Sequence, residues 1–230
     1  MRTRIVVPTL AAAGLLGLAG AWRLQAGQTW TDQFAVDRQE LRSTGRNRWF
    51  VLEPGYQLVL EDGRVRLVIT VLAETRMVDG VETRVVEERE TESGALVEVS
   101  RNFFAISSRT NSVFYFGEDV DIYRDGQVVS HEGAWLAGAG GARFGLMMPG
   151  LPLLGSRYYQ EVAPRVAMDR AQIVSTSATL TTPAGAFTDV VQIEESTPLE
   201  RGARESKFYA AGVGLLQDGS LRLVRPGMSR

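Results

Sequence analysis

The chain has 230 residues, of which 44% are hydrophobic and 23% are charged, and its formal net charge is −2. This composition is that of a globular protein with a buried core, and its charge argues against a nucleic-acid partner, which would require a basic surface. The absence of cysteine excludes disulfides, thiolate metal sites, cysteine nucleophiles and lipid attachment at a cysteine.

The first element, over residues 1–26, is predicted to be a single N-terminal hydrophobic helix. Residues 5–21 form a run of 17 residues without a charge, and Arg2 and Arg4 precede it. Because basic residues stay in the cytoplasm, this segment directs the rest of the chain to the periplasmic side. Two interpretations stay open: a signal peptide cut after Ala21, or an uncleaved anchor, which the length of the apolar run favours.

Small side chains on one face of this helix are typical of packing between transmembrane helices. Ala13, Gly17 and Ala21 recur at every fourth position, which lets a second helix approach closely. Trp22 and Trp30 follow, and tryptophan is enriched where a membrane meets water. The sequence thus predicts a single-pass inner-membrane protein with a cytoplasmic N-terminus, or a secreted periplasmic protein if the leader is cut. The predicted partners are the lipid bilayer and other subunits of a membrane complex.

Residues 27–48 are predicted to be a linker between the membrane and the main domain. A short helix is the candidate structure over residues 33–41, with Asp32 placed to cap its N-terminus.

Residues 49–230 show alternation of apolar and polar side chains, which predicts β-strands. Val65, Leu67, Ile69 and Val71 form the clearest run. Pairs of Asp-Gly or Ser-Gly, which favour two-residue hairpin turns, separate the runs at 62–63, 79–80, 93–94, 125–126 and 218–219. The pattern predicts a mainly β domain: a strongly curved antiparallel sheet or a partly open barrel of about ten strands.

Two segments of this domain carry more specific expectations. Val81, Thr83 and Val85 are expected to share one face of a strand, and Glu88 is expected to lie on its charged outer face. Residues 133–155 are rich in Gly, Ala, Leu, Met and Pro and lack alternation. They predict a long apolar loop.

No set of side chains predicts catalysis. His131 is the only histidine, and Ser130 beside it points to the opposite face of a strand, so the two cannot pair. The most concentrated polar group comprises four acidic residues: Glu118, Asp119, Asp121 and Asp125. Their oxygens suit calcium, although their spacing is not that of an EF-hand and acidic residues beside a turn also keep a sheet edge soluble. We therefore expect no enzyme activity, no cofactor and no metal centre, with calcium binding left open.

Five segments of the domain carry a family resemblance. They are WFVLEPG, FYFGEDV, GLMMPG, TPAGAF and KFYAAGVGL, at residues 49–55, 114–120, 145–150, 182–187 and 207–215. In their order and spacing they resemble an uncharacterised family of exported bacterial antiparallel-β proteins. The resemblance implies a curved antiparallel sheet akin to the open barrels that carry lipids or lipoproteins in the periplasm. It implies no reaction, because fold analogy does not supply function.

Two functions follow from these features as hypotheses. The first is a non-enzymatic accessory subunit of a bacterial membrane complex, anchored by its N-terminal helix with the β domain on the periplasmic side. The alternative is a secreted periplasmic carrier that binds a lipid or another apolar ligand in the concave face of the sheet.

Overall fold

Alternating side chains and tight turns shape most of the chain into antiparallel strands. The computed structural model describes residues 29–229, and these contain one short 3₁₀ helix, η1 (Arg38–Glu40), and 18 strands. The strands are β1 (Leu41–Arg42), β2 (Gly45–Asn47), β3 (Phe50–Leu52), β4 (Tyr56–Glu61), β5 (Val65–Val78), β6 (Val81–Glu92), β7 (Ala95–Ser107), β8 (Val113–Arg124), β9 (Gln127–Ser130), β10 (Trp135–Leu136), β11 (Arg143–Met148), β12 (Arg157–Tyr159), β13 (Glu161–Val162), β14 (Arg170–Thr182), β15 (Gly185–Ser196), β16 (Arg204–Ala210), β17 (Gly214–Asp218) and β18 (Leu221–Met228).

Sixteen of these strands form one antiparallel sheet, and β2 and β3 form a separate hairpin. The main order is β12-β14-β15-β16-β17-β18-β4-β5-β6-β7-β8-β11-β13, with β1 added beside β7 and with β9 and β10 added beside β8. The two end strands of this order, β12 and β13, are separated in the chain by Gln160 alone. The edges of the sheet therefore come together, and the sheet is nearly closed like a barrel.

The predicted hairpin turns are clearest where two consecutive residues have positive φ. Asp79 and Gly80 have φ of 47° and 76°, which is the type I′ geometry that matches the twist of the strands it joins. Asp62 acts differently, since its side chain accepts hydrogen bonds from the backbone N–H groups of Arg64 and Val65, at 3.2 and 2.9 Å. Local turn chemistry thus sets the boundaries of the long hairpins.

The prediction of a mainly antiparallel, strongly curved sheet is confirmed, but about ten strands is too few. The predicted loop over residues 133–155 is wrong in part, because it contains β10 and β11. Gly145 lies in β11, where a Cβ would come within 2.3 Å of the Gln160 backbone oxygen. The glycine there reflects a close approach between two strands, which the composition of the segment made resemble a loop.

The helix predicted over residues 33–41 is also wrong, since only the three residues of η1 are helical. Asp37 caps it, its carboxylate accepting from the Gln39 N–H at 2.9 Å. Asp32 instead forms an ion pair with Arg143, at 3.0 Å. The polar residues of this segment bind the barrel rather than extend a helix.

The predicted N-terminal helix, with Ala13, Gly17, Ala21 and Trp22, lies outside the described residues. Among residues 29–229, no helix is long and apolar enough to cross a membrane.

Candidate binding site

The inner face of the sheet is set by the pairing of its central strands. Ile69 of β5 lies opposite Glu88 of β6, which in turn lies opposite Ser100 of β7. Residues directly opposite one another in a sheet share a face. Leu67 is two residues from Ile69 on β5, and Glu90 is two residues from Glu88 on β6, so both also face inwards. Apolar and acidic side chains therefore line the same interior.

An apolar cavity occupies the end of the interior that is closest to the β2–β3 hairpin. It has a volume of about 80 Å³ and is partly open to solvent. Its wall is mainly aromatic and aliphatic and includes Trp49, Phe50, Tyr56, Leu58, Ile69, Val71, Val86, Phe104, Met147 and Tyr209. A volume of this size is several times the space that one water molecule needs, and Glu88 connects this cavity with the polar cavities beside it.

The β2–β3 hairpin is attached to the barrel by buried polar contacts. The Asn47 side chain donates to the backbone oxygens of Asn111 and Pro149, at 2.7 and 3.1 Å. Arg84, buried on β6, donates from Nε to the Ser43 oxygen at 2.9 Å and from a terminal nitrogen to the Thr44 hydroxyl at 2.6 Å. These bonds satisfy polar groups that would otherwise be costly to bury, and they hold the hairpin beside the apolar cavity.

A second cavity, at the opposite end of β4 and β5, is acidic. It measures about 350 Å³ and opens to solvent, and none of the described residues that line it is arginine or lysine. Its acidic residues are Asp62, Glu88, Glu90, Glu98, Glu205 and Asp218. Burial raises the pKa of the carboxyls of Glu90, Glu98 and Glu205, and neighbouring carboxylates raise that of Glu90 further.

A third cavity, of about 180 Å³, extends towards β8 and β13. Glu118 lines it, and burial raises the pKa of this carboxyl to about 7, against the effect of the nearby Tyr115 hydroxyl. Tyr115 donates a hydrogen bond to the Asn102 side-chain oxygen at 2.6 Å. Burial, together with the charge of Asp169, also holds the pKa of Glu161 well above its usual range.

Lys207, the only lysine of the chain, lies between these cavities on β16. Its ammonium group is 3.0 Å from the Glu195 carboxylate and 3.3 Å from that of Asp218. Burial works to lower the pKa of Lys207, but these two carboxylates outweigh it and hold the pKa well above the usual value. The three groups form a buried ion cluster whose single cation already has two anionic partners.

Glu88 is the one residue that lines all three cavities. Its side chain is partly exposed, towards the cavities that it lines. Burial raises the pKa of its carboxyl to about 7, although Lys207 acts to lower it. Within residues 29–229, no side chain forms a salt bridge or hydrogen bond with this carboxylate.

The four acidic residues considered for calcium are separated by the sheet. Glu118 faces inwards, whereas Asp119 is on the outer face in an ion pair with Arg76. Asp121 forms an ion pair with Arg101 at 3.4 Å and lies 3.0 Å from the ring of His131. Asp125 is in a turn, with φ of 52°. In the described part of the chain, no three acidic or histidine side chains are grouped so as to hold a metal.

Trp30 is the one predicted interfacial residue that the structure describes. Its ring packs between two guanidinium groups, 4.6 Å from that of Arg170 and 5.5 Å from that of Arg157. It also meets the edge of Tyr159, with 6.5 Å between ring centroids. The side chain therefore contacts β12 and β14.

The residues that make the interior distinctive were missed by sequence reasoning. Glu88 was expected on a charged outer face, which is wrong, because Glu88 lines the interior cavities. Lys207 was given no role. One signal was available, because four of the five segments that carry the family resemblance contribute to the cavity walls, with Trp49, Glu118, Met147 and Lys207 among their residues.

Comparison with known proteins gave no match: no family model, no curated protein and no solved structure matches the chain.

Proposed function

We propose that the protein is a carrier that binds a small amphipathic ligand inside its nearly closed sheet. The observation that carries this proposal is the apolar cavity, whose aromatic and aliphatic wall continues directly into polar space at Glu88. A well-packed core leaves few voids larger than a water molecule, so a cavity of about 80 Å³, several times the space that one water molecule needs, is more than imperfect packing. The proposed role requires binding and release and no catalytic residue.

The proposal is tested with the uncharged fluorescent probe N-phenyl-1-naphthylamine, which brightens in apolar surroundings. We expect the full chain in mild detergent to bind it at one site. Ile69→Trp should abolish binding, because the larger side chain fills the cavity from β5. The matched control is Thr70→Trp, since Thr70 is the next residue on the strand and points to the other face. Absence of binding by the unaltered chain, or equal binding by both variants, would contradict the proposal.

A second candidate is the membrane-anchored accessory subunit, and an exposed apolar loop favours it. Leu151, Leu153 and Leu154 are 71%, 59% and 71% exposed. This loop runs directly into β12, and the described chain begins beside that strand, where Thr31 donates to the Arg157 oxygen at 3.1 Å. A membrane segment preceding residue 29 would thus leave the loop near the bilayer, and we propose that the three leucines rest on it.

The absence of cysteine makes this second candidate easy to test. A nitroxide label attached at Leu153→Cys should collide with oxygen dissolved in lipid when the full chain is reconstituted in vesicles. The control is Val129→Cys, because Val129 is also exposed but lies on β9, which pairs with the end of β8, whereas the loop follows the part of β11 that pairs with the start of β8. Equal exposure of both labels to water would exclude contact of the loop with the bilayer.

A further inference from the structure

Acidic side chains outnumber basic ones among the described residues that face the interior. Among residues 29–229, six carboxylic residues and no arginine or lysine line the acidic cavity. Lys207 is the cation that acts on Glu88, and it is already shared between Glu195 and Asp218. An anionic head group, such as that of a fatty acid, would enter a field of its own sign and lose its hydration without a counter-charge.

Glu88 is placed where a ligand would need a charged partner. Its carboxylate stands at the boundary between the apolar and acidic cavities, with no ion pair or hydrogen bond from residues 29–229. Ile69, its partner across the strands, belongs to the apolar wall. A molecule with its hydrocarbon part against that wall would therefore place its polar end at Glu88.

We infer that the ligand is a cationic amphiphile, with an ammonium group bound to the Glu88 carboxylate and a hydrocarbon part in the apolar cavity. This inference rests on the proposed carrier function and names the chemical class of its ligand. An ammonium group donates charge-assisted hydrogen bonds, which would give Glu88 the partner that the protein does not supply. A metal ion fits less well, because the described residues contain no group of three acidic or histidine side chains arranged to bind one.

Competition against bound N-phenyl-1-naphthylamine separates the contribution of a ligand's charge to its binding from the contribution of its hydrophobicity. The competitors are dodecylamine, dodecan-1-ol and dodecanoate, which share one chain length, each used near pH 8 and corrected for its uptake by the detergent alone. We expect dodecylammonium to displace the probe at a concentration at least about tenfold lower than dodecanoate does, the factor that one charge-assisted hydrogen bond supplies. Dodecanol should fall between them.

The variant Glu88→Gln removes the charge and keeps the shape. It should weaken displacement by dodecylammonium about tenfold or more and leave dodecanol almost unchanged. Glu87→Gln is the control, because Glu87 is adjacent on β6 but pairs on the outer face with Arg101, at 3.2 Å. Circular dichroism of both variants checks that the sheet is intact.

The outcomes distinguish the inference from the proposal on which it rests. If the naphthylamine probe does not bind, the carrier function fails. If the probe binds and Ile69→Trp abolishes binding, but dodecanoate competes as well as dodecylammonium does, the carrier function stands and the cationic ligand is refuted. The cationic ligand is likewise refuted if Glu88→Gln leaves the affinity for dodecylammonium unchanged, or if calcium chloride alone displaces the probe.

Discussion

Replacing Glu88 with glutamine should stabilise the protein above neutral pH, by an amount that follows from its burial. Its carboxyl pKa is raised from 4.5 to about 7, so the folded chain holds this proton more tightly than the unfolded chain. Stability from this group is therefore greatest below pH 4.5, falls as pH rises to about 7, and is constant above. At about 1.4 kcal/mol per pKa unit, the ionised carboxylate costs about 3 kcal/mol at pH 8. Glutamine has no such cost.

Urea unfolding of the full chain in mild detergent, followed by tryptophan fluorescence between pH 4 and pH 8, measures this difference. Glu88→Gln and the unaltered protein should have equal free energies of unfolding at pH 4, and the variant should be the more stable by about 3 kcal/mol at pH 8. The control Glu74→Gln, at an exposed position of β5, should follow the unaltered protein at every pH. Parallel curves for Glu88→Gln and the unaltered protein would refute the argument that this carboxylate is buried without a partner.

Two further predictions use matched variants. Lys207→Met leaves two buried carboxylates without their cation and should lower the free energy of unfolding by about 3–5 kcal/mol. The control Arg204→Met, at the exposed pair with Glu194, should lower it by less than about 1 kcal/mol. Similar losses for the two variants in urea unfolding would contradict the buried ion cluster. Gly145→Ala places a Cβ against backbone atoms of Tyr159 and Gln160 and should lower the free energy of unfolding by about 1–3 kcal/mol or more. In the control Gly126→Ala, the new Cβ meets no atom within 4 Å but φ is 76°, so the loss should be only about 1 kcal/mol. Thermal unfolding that ranks the two variants in the reverse order would contradict the close approach at β11.

The parts of the fold that the sequence predicts correctly are those determined by residues close together in the chain. Asp79-Gly80 and Asp125-Gly126 adopt positive φ at both positions, which aspartate and glycine tolerate, so the hairpins could be located without knowledge of the rest of the sheet. The alternation at Val65, Leu67, Ile69 and Val71 likewise predicts a long strand and a shared face. Fold class followed from these local signals.

The closure of the sheet and its acidic interior could not be predicted in the same way. Closure depends on β18 pairing with β4, strands from opposite ends of the domain, and a local pattern does not encode which distant strands meet. Alternation on β6 shows that Val85 and Glu88 lie on different faces, but it does not show which face is inside. Apolar residues such as Val81 and Val85 suggested that their own face of β6 lies inside, whereas the barrel buries residues of both faces.

The acidic interior is costly to the fold, which supports a role for it in binding. Apolar residues of similar size would stabilise the interior better than ionised carboxylates. Four charged groups influence Glu88, from β7 and from strands across the interior: Lys207 lowers its pKa, while Asp218, Glu98 and Glu195 raise it. A bound ammonium group would act as Lys207 does, so binding should favour the ionised carboxylate and release a proton below pH 7. The affinity for dodecylamine should accordingly rise between pH 5 and pH 8, while that for dodecan-1-ol stays level; competition at both pH values measures the difference, and parallel changes for the two compounds would show that Glu88 does not contact the ligand's charge.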